Sequence, residues 1–221
     1  MSSHHVVRDL QEPALILANG SSCSSELLGQ LLEWSPFTLV LDGAIDRAAA
    51  LGIRIDAWLG DFDSGKEESY HALSALQPVR KIEALDEDKT DLQKGVEWLM
   101  SEGHKAVNIL WATGKRTDHT VHNLLSLVAY SDRINWSILD DHSRVFALGS
   151  RFRKWYPKGT ALSLIPVGTA MGVSSQNLVW ELEQLDLAYP HRSGSSNRVK
   201  TDGFVEISKQ SGHLLLMECW D

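Results

Sequence analysis

Between Pro13 and about Asp141, apolar residues arrive in short unbroken runs, each followed by a stretch with apolar residues three or four positions apart. Ala14-Leu15-Ile16-Leu17-Ala18, Phe37 to Leu41, Ala57-Trp58-Leu59, Val79 to Ala84, Ala106 to Ala112 and Ile134 to Leu139 predict strands. Ser24 to Trp34 places Leu27, Leu28, Leu31 and Leu32 on one helical face. Ile45 to Leu51, Tyr70 to Leu76, Thr90 to Glu102 and His119 to Tyr130 predict further helices, and Glu67-Glu68 reads as a solvated helix start. Apolar strands alternating with helices predict a parallel sheet covered on both faces. Trp34, Trp98 and Trp136 fall at core-facing spacing.

After Asp141 the texture changes. Val145-Phe146-Ala147-Leu148, Ala161 to Val167, Asn177 to Leu187, Phe204 to Ser208 and Leu214 to Cys219 are strand candidates between glycine and proline turns. Short strands at this spacing predict an antiparallel sandwich. The expected fold class is an N-terminal α/β domain with a Rossmann-like parallel sheet, residues 1–143, followed by an all-β C-terminal β-sandwich, residues 144–221. The boundary falls within residues 141 to 150 without a low-complexity linker, so the halves are expected to pack tightly.

The chain's 221 residues, 43% hydrophobic and 23% charged, exclude disorder, collagen-like repeats and coiled coil. A net charge of −8 argues against a nucleic-acid partner, which needs a basic face. Cys23 and Cys219 make neither a disulfide framework nor a zinc pattern and read as two thiols in a reducing compartment. Met1 to Asp9 lacks an apolar signal-peptide core. No run approaches the roughly eighteen apolar residues of a membrane span. A soluble cytoplasmic protein with no membrane partner is expected. His4 and His5 are a terminal pair, and His71, His104, His142, His191 and His213 are scattered singly in solvated or capping roles.

In a parallel α/β sheet, ligands bind beyond the carboxyl ends of the strands. Four polar clusters fall there: Asp42-Gly43, Gly60-Asp61-Phe62-Asp63-Ser64, Asp86-Glu87-Asp88-Lys89-Thr90-Asp91, and Thr113-Gly114-Lys115-Arg116-Thr117-Asp118-His119. Alone, Asp42-Gly43 reads as a turn, and Asp86 or Asp88 as a helix cap. Asp61 and Asp63 crowd two carboxylates beside a glycine, which suits a hard cation such as magnesium. The glycine turn at Gly114, with Lys115, Arg116 and a helix start, suits a phosphate, although by itself it reads equally as a solvated basic turn. Carboxylates for magnesium and arginine for phosphate are the parts of phosphoryl or pyrophosphoryl transfer.

Asp42-Gly43-Ala44-x-Asp46-Arg47, Leu51-Gly52-Ile53-x-x-Asp56 and Gly60-Asp61-Phe62-Asp63-Ser64 resemble the opening of the thiamine pyrophosphokinase (thiamin diphosphokinase) family. Asp86-x-Asp88-x-Thr90-Asp91 and Arg116-x-Asp118-His119 with Asn123-Leu124 match its next motifs in order. Ser163-Leu164-Ile165-Pro166, Gly172-Val173, Leu178-Val179-Trp180-x-Leu182 and Ser195-Ser196-Asn197 resemble its thiamine-binding half. The resemblance implies transfer of the pyrophosphoryl group of ATP to thiamine with Mg2+, in a homodimer whose sites join the two halves of different chains. It implies metal ligands among Asp61, Asp63, Asp86, Asp88 and Asp118. ATP and phosphate contacts would come from Asp42, Gly43, Asp61, Ser64, Thr90, Thr113, Gly114, Lys115 and Arg116. Asp91, Asp63, Arg116 and Asp118 would be catalytic, and Asp91, Trp180, Ser196 and Asn197 would hold thiamine.

The chain departs from the family pattern at Ala44-Ile45-Asp46, at Lys115 (usually glycine) and at Gly194 (where a serine is found). Asp46 is expected to add a carboxylate near the rim. Two other readings stay open at this point. One is a pyrophosphokinase for a pterin-type alcohol, which would not need Trp180, Ser196 and Asn197. The other is a catalytically silent sensor of nucleotide or thiamine diphosphate, which should have lost rim carboxylates.

Overall fold

The computed structural model describes residues 12–220; the His4-His5 pair and the Met1 to Asp9 stretch lie outside the described residues. Six parallel strands form the first half: β1 (Ala14–Leu17), β2 (Thr38–Leu41), β3 (Ala57–Gly60), β4 (Arg80–Glu83), β5 (Ala106–Leu110) and β6 (Asn135–Leu139). They lie in the order β4-β3-β2-β1-β5-β6. Five helices connect them: α1 (Ser25–Leu32), α2 (Ala44–Ala50), α3 (Glu67–Ser74), α4 (Asp91–Ser101) and α5 (Thr117–Ser126). β1 lies between β2 and β5 and buries all four side chains, which is why it reads as an unbroken apolar run.

The helices start where capping chemistry permits. Ser24 accepts the amide of Leu27 at 3.2 Å to open α1. Thr90 and Gln93 cap α4 reciprocally, so Thr90, and neither Asp86 nor Asp88, is the cap. One strand departs from expectation. β4 is not apolar throughout, because it is the sheet edge. Arg80 pairs with Glu102 at 2.8 Å and Lys81 pairs with Glu67, and charge keeps that edge from pairing further.

The sheet continues into the second half through strands that are antiparallel: β7 (Ser143–Ala147), β8 (Arg151–Tyr156), β9 (Ala161–Gln176), β10 (Leu185–Ala188), β11 (Gly194–Arg198), β12 (Gly203–Ser208) and β13 (Ser211–Cys219). From β6 the order is β7-β13-β9-β12-β8, with β10 and β11 also on β9. Leu162, Leu164, Leu178, Val205, Leu214 and Leu216 help fill the core of this sandwich. The first-half core takes in Val145 and Leu215, with Ile165, Val167 and Met217 packed on it, so the halves share apolar contacts as well as a sheet.

Several expectations are corrected here. Asn177 to Leu187 is mostly loop; Asn177 and Gln184 have φ of 69° and 54°, which no regular strand accepts. β8 and β11 carry no apolar run and were not expected. β9 passes through Gly168 and Gly172, whose positive φ values of 75° and 60° mark irregularities inside a strand rather than its end. Trp34 is 59% exposed, not core. His104 is buried, with its ring 5.2 Å from that of Phe37, and burial pushes its pKa down.

Candidate active site

The carboxyl ends of β1 to β5 open into one cleft of about 980 Å³. Asn19 and Gly20 follow β1 into its wall, Asp42 follows β2, Asp61 and Ser64 follow β3, Asp86, Thr90 and Asp91 follow β4, and Gly114, Lys115, Arg116 and His119 follow β5. All four clusters picked out by sequence therefore reach the same space.

The acidic wall centres on Asp42. Its φ is 29°, it is 7% exposed, and its Oδ1 has no hydrogen-bond partner among the described residues. Burial raises its pKa above the ordinary carboxylate value. Gly60 makes this position accessible, since a Cβ there would lie 2.8 Å from that of Asp42. Asp61 and Asp63 flank Phe62, whose φ of 65° folds the chain so that the Asp63 amide donates to Asp61 Oδ1 at 3.3 Å. Oxygens of Asp42, Asp61 and Asp63 all lie within 4.8 Å of one another. Three converging carboxylates with a buried, unpartnered oxygen fit a divalent cation, which would supply the missing positive charge. Sequence reasoning assigned Asp42 to phosphate; the geometry puts it with the acid pair. The only signal for this was its place at a strand end.

Asp86, Asp88 and Asp118 stand outside that triad. Asp86 accepts the Asp88 amide at 3.0 Å and lies 3.4 Å from Lys89 Nζ. Asp118 is gripped by both forks of Arg116, which hold its carboxyl down to about 2. Gly43, Asp63, Asp88, Thr113 and Asp118 do not line the cleft, and the Thr113 hydroxyl donates instead to Asp140 at 3.1 Å.

The basic wall is tied to the floor. Lys115 Nζ donates to the Asn19 carbonyl at 2.9 Å, and burial lowers its pKa. Gly114 needs both its φ of 74° and its bare α-carbon, since a Cβ would meet Ser21 Oγ at 2.2 Å. Arg47 stacks 4.7 Å from the Trp111 ring and donates to the Gly20 carbonyl at 3.0 Å. Asp91 opens α4 with Lys94 Nζ 3.0 Å from its Oδ1. Lys94 was not among the expected residues, although the three-residue helical spacing could have shown it. Asn123, buried, donates to the Ala112 carbonyl at 2.8 Å and fixes the end of the strand run that leads to Thr113.

Asp46 does not reach the rim as expected. It turns toward α3, accepting the Lys66 amide at 3.2 Å and the Ser69 hydroxyl at 2.7 Å. Gly194 is forced by packing, because a Cβ would lie 2.9 Å from Leu164 Cβ on the paired strand β9.

Trp180, Ser196 and Asn197 do not line this cleft. Trp180 is 61% exposed on the loop after β9, and Ser196 is exposed with φ of 57°. Asn197, expected to bond a ligand directly, is buried and its amide is engaged. Its Oδ1 accepts the Trp180 amide at 3.2 Å and its Nδ2 donates to the Trp180 carbonyl at 2.7 Å. It holds the loop that presents the tryptophan.

Carboxylates and basic side chains lining one cleft are the parts used by enzymes that move phosphate groups, and the parallel sheet places the cleft where such enzymes bind. Comparison with known proteins narrows that class. Residues 28–138 match the family described as "Thiamin pyrophosphokinase, catalytic domain", and residues 151–214 match "Thiamin pyrophosphokinase, vitamin B1 binding domain". The chain belongs to the thiamin pyrophosphokinase family. It is 27% identical over 168 residues to "Thiamine pyrophosphokinase 1" of Oryza sativa subsp. japonica, across 71% of this chain and 63% of that one. It is 29% identical over 99 residues to "Thiamine pyrophosphokinase" of Bacillus subtilis (strain 168), across 45% and 46%. The chain thus spans less than two thirds of these curated relatives. Among solved structures, thiamine pyrophosphokinase from Bacillus subtilis shares the fold with TM-score 0.80 at 19% identity, covering 95% of this chain and all of that one. The yeast enzyme gives 0.84 at 17%, covering 98% and 88%. Among the described residues no helix is long and apolar enough to cross a membrane.

Proposed function

We propose that this chain transfers the pyrophosphoryl group of ATP to the hydroxyl of thiamine, giving thiamine diphosphate and AMP. The observation that carries the proposal is that Asp42 and Asp61, whose oxygens converge with those of Asp63, line one cleft with Lys115 and Arg116. The thiamine oxygen attacks the β-phosphorus of ATP. The bond from that phosphorus to the α–β bridging oxygen breaks, AMP departs with the electron pair, and the hydroxyl proton passes to Asp91. Magnesium held by Asp42, Asp61 and Asp63 would neutralise phosphate charge when bound.

Lys115 and Arg116 hold the phosphates, Asp118 keeps the Arg116 fork in place, and Ser64 and Gly114 bring a hydroxyl and a close backbone approach. Asp86 lies on the cleft wall beside Lys89, where it orders the loop entering α4. Positioning and charge neutralisation dominate such transfers, so a carboxylate-and-arginine site suffices. Trp180 supplies a ring face for the thiamine cation and Ser196 a hydroxyl. Because neither lines the cleft of its own chain, each would serve the cleft of a second copy in a homodimer. A cytoplasmic location accords with Cys23 and Cys219 forming no disulfide.

Incubation with ATP, magnesium and thiamine should give AMP and thiamine diphosphate in equal amounts by chromatography. EDTA or Asp63→Ala should stop both. ADP in place of AMP would overturn the proposal, and product formed only with a pterin alcohol would move it to that substrate.

A further inference from the structure

Lys81 stands outside every motif, yet its ammonium occupies a cage of three rings. Nζ lies 4.4 Å from the Phe62 ring, 4.9 Å from Trp58 and 5.5 Å from Tyr70. The cage follows from register: Lys81 on β4 pairs directly with Trp58 on β3, which sets both side chains on one face of the sheet. The rings also hold each other, with Trp58 4.4 Å from Phe62 and stacked on Tyr70 at 5.4 Å. Glu67 closes the outer side as the ion partner of Lys81.

Two walls of this cage belong to the acidic triad. Phe62 is the residue between Asp61 and Asp63, held at a φ that side chains other than glycine adopt rarely. Trp58, fully buried, donates its indole N–H to the Asp42 carbonyl at 2.9 Å. The chain just past the triad packs on the same ring, since a Cβ on Gly65 would lie 2.8 Å from Trp58 Cζ2 and 2.9 Å from the Asp42 carbonyl. The cation therefore lies over two rings tied to the backbone of the triad, Phe62 between Asp61 and Asp63 and Trp58 on the Asp42 carbonyl.

We infer that Lys81 is a positioning residue: its ammonium, caged by Phe62, Trp58 and Tyr70, pins the strained Asp61-Phe62-Asp63 turn so that these carboxylates meet Asp42 as one divalent-cation site. The inference rests on the reading of that triad given above. A cation over aromatic faces is attracted to the ring quadrupole, and the attraction grows as water is excluded. Lys81 lies at the exposed sheet edge, with 32% of its side-chain surface open to solvent. Its attraction opposes relaxation of Phe62 out of the left-handed region, which would separate Asp61 from Asp63.

The test is Mn2+ binding to the full chain, followed by electron paramagnetic resonance with a non-hydrolysable ATP analogue present. Lys81→Met, which keeps the apolar stem, should weaken Mn2+ about tenfold, while Lys81→Arg should stay near the unaltered chain. Phe62→Leu should weaken it similarly, and the double variant should be no worse than either single one. Glu67→Gln should leave affinity unchanged. Mn2+ affinity retained in Lys81→Met, or lost equally in Glu67→Gln, would overturn the inference. Should Lys81→Met fail to fold, Mn2+ affinity unchanged in Phe62→Leu would overturn it as well. Asp61→Asn separates the two readings: if it binds Mn2+ normally, the triad itself is not the site. If it alone fails to bind, only the role of Lys81 falls.

Discussion

Burial and charge oppose each other at Asp42. The folded protein holds a proton there more tightly than the unfolded chain does, because burial disfavours the carboxylate. Stability from this group is therefore lost as pH rises from the ordinary value of 3.8 toward the raised one, and above that the penalty is constant. In EDTA at pH 7, Asp42→Asn should raise the thermal midpoint by about 2–4 °C, as a gain on the order of 1 kcal/mol does in a chain of this size. The gain should shrink as pH falls from the raised value toward 3.8, because the native residue takes up its proton in that interval. Turnover should fall at least about a hundredfold, the trade of stability for activity common at strained sites. Melting curves across pH, beside product formation, check both halves. At this scale the sequence made Asp61 and Asp63 legible because their spacing is odd for a turn. It concealed that Asp42 converges with them, because Asp-Gly is ordinary punctuation, and it misdirected Asp46, whose partners lie at the start of α3.

The loop joining β9 to β10 shows what an element can hide. Leu178, Val179, Trp180 and Leu182 alternate like a strand, but Glu181 accepts the Leu178 amide at 3.0 Å and the Ser175 hydroxyl at 2.7 Å, turning the chain upon itself. Asn197 on β11 then bonds both backbone groups of Trp180. Asn197→Ala should leave those part-buried groups without their partner and cost about 1 kcal/mol of stability. It should also raise KM for thiamine several-fold while KM for ATP stays put, a split that steady-state kinetics with each substrate varied would reveal. Unchanged KM for thiamine would separate Asn197 from ligand binding. The parallel strands were legible because burial on two faces demands unbroken apolar runs. β8 and β11 were not, because their side chains are mostly exposed and strand pairing itself leaves no mark on composition. Glycines inside β9 imitated turn signals for the same local reason that real turns use them.

Across the whole molecule, the sheet runs without a break from β4 to β8, and the first-half core includes Leu215 of the last strand. Separation of cleft and Trp180 within one chain makes the shared-site dimer testable by mixing. Asp63→Ala and Trp180→Ala chains, each inactive alone, should regain about a quarter of native activity when dissociated and reassembled in equal amounts, since half the dimers are mixed and each has one intact site. No recovery from reassembled mixed dimers would sink the shared-site arrangement. The fold class and the order of the two halves were readable in advance; their fusion into one sheet was not, because it depends on β6 pairing with β7 and on β13 carrying the sheet from β7 to β9.

That late strand has a consequence for synthesis. β7 and β9 flank β13, so the ladder joining them stays open until residues 211–219 have left the ribosome. At about 5–20 residues per second, the roughly eighty residues between the end of β6 and the end of β13 take on the order of 4–16 s. For that interval the nascent chain carries its parallel strands beside unpaired strand edges and an apolar flank awaiting Leu215. Those seconds are when it would most need a holding chaperone.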